Sequence, residues 1–120
     1  MHIVHRPARP GQRFELALAL LARLAAARHG GRHGLTSAEL ALALRSDPLQ
    51  VEPLLDLLVE LDWVARLDEE GAQRHVLLAD PAVTRAAPLV DRLLIAPGAA
   101  SAPFRRAAGI EGLTLEALLA

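Results

Sequence analysis

The sequence predicts a mainly α domain with a small β-hairpin, a winged helix-turn-helix. Three observations predict it. Two helix-start signals, Thr36-Ser-Ala-Glu39 and Asp47-Pro-Leu-Gln50, lie close together with only Arg45-Ser46 as a hinge between the segments they open. Two short stretches of strand-like content, Trp63–Leu67 and Gln73–Leu78, then flank an acidic turn, Asp68-Glu-Glu-Gly71. Finally, the apolar half of the chain is mostly Leu and Ala, with one Trp, two Phe and no Tyr, a composition that builds helices.

At 120 residues one domain can bury a core without a disulfide or a structural metal. The absence of Cys removes thiolate metal sites and thiol catalysis, and fits a reducing compartment. The most apolar run, Leu16 to Ala27, falls short of the roughly 20 residues of a membrane span and contains Arg23. The opening Met1-His-Ile-Val-His-Arg-Pro has no apolar core of a secretory signal, so the chain as it stands reads as soluble.

Residues 1–12, with Pro7, Pro10 and Gly11 among basic side chains, read as a flexible basic lead-in. The winged-helix domain is expected over 13–96. Phe14, Leu18, Leu21, Leu24 and Ala25 share one side of a first helix over about 13–29, and Leu16, Leu20 and Ala27 widen its apolar arc beyond one core face. That surplus must meet either the Leu-rich C-terminal tail or a second subunit. Gly30, Gly31 and Gly34 end the helix in a loop.

Thr36 and Glu39 form a capping box, which predicts a second helix from Ser37 to about Arg45. Asp47 as cap and Pro48 in the first turn predict a third, to about Leu61, burying Val51, Leu54, Leu55, Leu58 and Leu61. Pro53 is irregular there and is expected to distort the first turn or shift the start. Trp63 is expected to seal the corner between this helix and the wing. Thr84 is expected to cap a helix carrying Leu89, Val90, Leu93 and Leu94; residues 97–120 read as a Pro/Gly/Ala linker and a short final helix from Thr114 to Leu119.

Charge argues about function. Residues 1–33 carry six Arg against Glu15, residues 34–70 two Arg against nine acids, and residues 71–120 five Arg against four acids, for a net charge of -1. A DNA-reading helix needs cations for phosphates and polar side chains for base edges. The third helix instead offers Asp47, Glu52, Asp56, Glu60 and Asp62 with no basic residue, and the turn adds Asp68, Glu69 and Glu70. Its outward row, Leu49, Pro53, Asp56 and Glu60, is therefore a candidate contact for a protein partner, itself or a membrane domain, that carries basic residues. The alternative is DNA binding through Arg45, Gln50, Arg66, Arg74 and His75, which the acidic helix disfavours.

Nothing points to catalysis, a cofactor or a small-molecule substrate. His29 and His33 are separated by Gly-Gly-Arg and have no carboxylates beside them, which predicts no metal site. No P-loop, G-x-G-x-x-G or G-x-S-x-G motif is present.

The runs L-T-S-A-E-L-A-L-A-L, D-P-L-Q-V-E-P-L-L-D-L-L-V-E-L-D-W-V-A-R-L-D-E, R-H-V-L-L-A-D-P and A-P-L-V-D-R-L-L resemble the soluble C-terminal tail of the YihY/BrkB family of bacterial inner-membrane proteins, formerly called ribonuclease BN. The resemblance covers about residues 10–107. It implies a cytoplasmic module at the inner face of the membrane, following a multi-helix membrane domain that this sequence does not contain. Arg6, Arg9 and Arg13 suit a segment leaving a span on the positive side.

Overall fold

The computed structural model describes residues 9–69 and 71–119. Of the lead-in, residues 1–8 lie outside them, as does the turn acid Glu70. Helix α1 spans Gln12–His29, opened by Gly11 at φ 78°. It is followed by the two-residue strand β1, Leu35–Thr36, and by α2, Ser37–Leu44. The capping box forms as expected: Thr36 Oγ1 accepts from the Glu39 N–H at 3.1 Å, and the Glu39 carboxylate accepts from the Thr36 N–H at 2.9 Å. That backbone bond is the main reason the Glu39 carboxyl is held below the ordinary carboxylate range, with Arg32 adding to it and partial desolvation opposing it. Arg45, left-handed at φ 51°, ends α2 and turns the chain into α3, Pro48–Glu60.

Asp47 caps α3 by accepting from the Leu49 N–H at 2.9 Å. Pro53 does not shift the start. The helix runs unbroken from Pro48, with Pro53 inside it. Pro53 cannot donate to Leu49, one turn back, but Leu49 is 80% exposed, so water can serve that carbonyl. The buried face carries Val51, Leu54, Leu55, Leu57 and Leu58, against Leu16, Leu20, Leu21 and Leu24 of α1 and Leu40 of α2.

Asp62, left-handed at φ 61°, redirects the chain into the wing. Trp63 is buried at this corner, and its carbonyl accepts from Leu78 and Ala79 at 2.8 and 3.2 Å. Strands β2, Val64–Glu69, and β3, Ala72–Leu77, pair antiparallel from Val64 with Leu77 to Glu69 with Ala72. Asp68 and Glu69 therefore belong to strand β2 rather than to the loop expected from the sequence. The ladder continues to Glu69, and both exposed side chains find cross-strand partners: Gln73 donates to Asp68 at 3.0 Å and Arg74 to Glu69 at 3.1 Å. A third strand joins: β1 pairs antiparallel with β3, Leu35 opposite His75, giving the order β1-β3-β2.

The C-terminal part wraps back. Helix α4, Ala87–Leu93, begins at Ala86 without a side-chain cap. Thr84 is not its cap; the Thr84 hydroxyl donates to the Asp80 carbonyl at 2.7 Å. Helix α5, Ala102–Ala108, and a 3-10 turn, Ile110–Gly112, precede α6, Leu115–Leu119. Arg105, buried, ties α5 to Asp91 of α4 at 2.6 Å, to the Ile95 carbonyl at 3.1 Å and to Glu111 of the 3-10 turn at 2.8 Å. Leu115 N–H donates to Thr84 and Ala86 N–H to Leu113, at 2.9 Å each. This places α6 on α1, where Leu115, Leu118 and Leu119 join the core. The surplus residues of α1, Leu16, Leu20 and Ala27, are likewise buried within the chain.

Candidate interaction face

In this architecture α2 and α3 form the helix-turn-helix, and the exposed face of α3 is the surface the fold presents. Leu49, Pro53, Asp56 and Glu60 lie together on that face, all exposed, with Glu52 beside them. Helical spacing alone puts this row outward. What it missed is how the carboxylates are engaged: Arg66 of β2 pairs with Asp56, and Arg92 of α4 pairs with Glu60 at 2.8 Å. Exposed pairs of this kind add little stability. Their effect is on charge, because they occupy the nearest cations.

The nucleic-acid candidates do not converge. Arg66 is turned onto α3, and Arg74 onto Glu69 at 3.1 Å and Glu39 at 3.6 Å. Arg45 stands exposed at the turn between α2 and α3. Gln50 points the other way, toward α1, with its side-chain oxygen buried and without a hydrogen-bond partner. His75 is a correction: at 2% exposure it cannot reach a ligand. Alternation along β3 puts its ring inside, where Nδ1 lies 3.3 Å from the Leu35 carbonyl oxygen and Nε2 has no partner. The signal was present in the sequence, since Arg74 and Val76 beside it take the opposite face of a pleated strand.

Burial pushes the His75 imidazole below its ordinary pKa of 6.5. The Leu35 carbonyl opposes that shift, Arg66 adds to it, and Glu52 and Asp56 oppose it. The folded state therefore holds the ring neutral while the unfolded chain takes up a proton near pH 6.5. Stability from this site is complete above that pH and falls as the pH drops toward the folded value. Urea midpoints measured between pH 7.5 and 5 should decline, and His75→Phe should flatten the decline.

On the other side of α3, a groove of about 310 Å³ opens between the first turns of α1 and α3. Leu16 and Leu54 line it with Gln12, Arg13, Leu49, Gln50 and Pro53. No sequence pattern marks it, because it depends on how two helix starts are juxtaposed.

The arrangement has known counterparts. The chain is 51% identical over 119 residues, 99% of its length, to a UPF0761 membrane protein of Methylibium petroleiphilum. Its homologues are UPF0761 membrane proteins. Others from Delftia acidovorans and Albidiferax ferrireducens are 39% and 47% identical over 94% and 78% of the chain. The chain spans only 29%, 29% and 23% of the length of these three relatives, so the similarity to UPF0761 proteins concerns a small part of them. Among the described residues no helix is long and apolar enough to cross a membrane. No family model matches the chain.

Solved structures share the fold at low identity. CymR, the global cysteine regulator of B. subtilis, aligns with a TM-score of 0.70 at 17% identity, covering 93% of this chain and 96% of its own. T. potens IscR gives 0.65 at 12%, covering 94% and 87%. The fold is therefore that of winged-helix regulators.

Proposed function

We propose that this chain is a non-enzymatic winged-helix interaction module of a larger membrane protein, at the cytoplasmic face as the YihY/BrkB resemblance implies, and that α3 meets protein rather than nucleic acid. One observation carries the reading: the exposed face of α3 offers Leu49, Pro53, Glu52, Asp56 and Glu60 and no basic residue. Laid against a duplex, these carboxylates would repel phosphate where a DNA reader gains affinity by releasing counterions. The similarity to membrane proteins over nearly the whole chain supports the placement.

The test is fluorescence anisotropy of a mixed-sequence duplex titrated with the domain at about 50 and 200 mM salt. The expected result is no saturable binding at the lower salt. Tight binding that collapses at the higher salt would overturn the reading in favour of a DNA-binding regulator. That second reading is favoured by the exposed Arg45 at the helix-turn-helix hinge, and it requires Arg66→Ala with Arg74→Ala to weaken the duplex complex.

A further inference from the structure

We infer that the groove between α1 and α3 is the anchor site for a cationic amphipathic helix, which seats an apolar side chain between Leu49, Pro53 and Leu16 while its basic residues reach Glu52, Asp56 and Glu60. This rests on the protein-facing reading of α3 and names the partner's chemistry. Three independent features converge on it. The groove has an apolar floor, Leu16 and Leu54, at the edge of the core. Its rim carries Leu49, the most exposed of the described large apolar side chains at 80%, beside the exposed ring of Pro53. Gln50 lines it too, with a side-chain oxygen that is buried and has no donor.

Charge selects the occupant. Around α3 the outward carboxylates occupy one continuous arc with Leu49 and Pro53, and Arg66 and Arg92 answer only Asp56 and Glu60. Glu52 is exposed and makes no ion pair among the described residues, while Arg66 is turned to Asp56. An acidic helix would meet Arg13 at the α1 edge of the groove but face Glu52, Asp56 and Glu60 along the rest of the rim. A helix with leucines on one side and lysine or arginine on the other gains both groove and rim.

The probe is a fluorescein-labelled peptide of about 18 residues, leucines on one helical face and lysines on the other, compared with a leucine–glutamate peptide of the same pattern. The domain should bind the lysine peptide at least roughly tenfold more tightly than the glutamate one, with amide shifts centred on Leu16, Gln50 and Leu54. Leu49→Glu separates groove from charge. It adds an acid in the first turn of α3, where the helix dipole welcomes it, so the fold is kept. If the groove anchors the peptide, this variant binds the lysine peptide roughly tenfold more weakly despite its greater negative charge. Equal or tighter binding by Leu49→Glu, or no binding by the unaltered domain, overturns the inference. The duplex titration fails separately: salt-sensitive DNA binding would remove the protein-facing reading itself, whereas its absence together with an unbound peptide removes only the groove.

Discussion

Gly34→Ala should cost the domain about 3 kcal/mol or more, a large share of the stability of a chain this size. Two costs add. Gly34 sits at φ +90°, a backbone state that an L side chain enters only with strain. A β-carbon there would also stand 2.5 Å from the His75 carbonyl oxygen and 2.7 Å from Val76 Cγ1, both held by the β3 ladder. Relief requires β1 to leave β3, which strips Leu35 from the core and opens His75 to water. A thermal melt should show a drop of about 10 °C or more, and the His75-linked acid sensitivity should fade with it. A melt within a degree or two of the parent would mean that the β1–β3 contact is not tight. Gly71, where a β-carbon would meet nothing within 4 Å, is the control for φ alone.

Leu115→Ala should destabilise by about 3 kcal/mol, within the 2–5 typical of buried leucines. The residue lies near the end of the chain, where truncation is usually cheap. Here it is fully buried at 0% exposure, and α6 lies along α1. Removing its side chain leaves a cavity under the first helix and loosens the pairing of residues 113–116 with 81–86. Urea unfolding reads the effect directly. Leu49→Ala, on the exposed face of α3, should stay within about 0.5 kcal/mol of the parent in the same assay. If both substitutions cost alike, the α6 packing described here is wrong.

Helices α2 and α3 were legible because their starts are written in side-chain chemistry. Thr36 and Glu39 bond each other across one turn, and Asp47 with Pro48 fits only a first turn, so no tertiary information was needed. Strand β1 was not legible: two residues carry no period, and Leu35–Thr36 become a strand only because Gly34 lets the backbone lie against β3. The same dependence on distant partners hid the short helix Ala102–Ala108, which is fixed by Arg105 reaching Asp91 and Glu111 rather than by an apolar stripe. For the candidate face, the outward row of α3 followed from helical spacing alone. The pairing of Asp56 with Arg66, the inward turn of His75 and the groove beside Gln50 did not, since each joins elements that only the folded chain brings together.

The tryptophan at the corner has one more consequence. With Trp63 alone and no tyrosine in the chain, ultraviolet emission excited near 295 nm comes from a single ring, seated where α3 hands over to the wing. The protein carries its own optical reporter at the joint most strained by any movement of α3 against the sheet. A partner that tilts α3 would admit water to the indole and shift its emission to the red; one that clasps the face rigidly would leave the spectrum still.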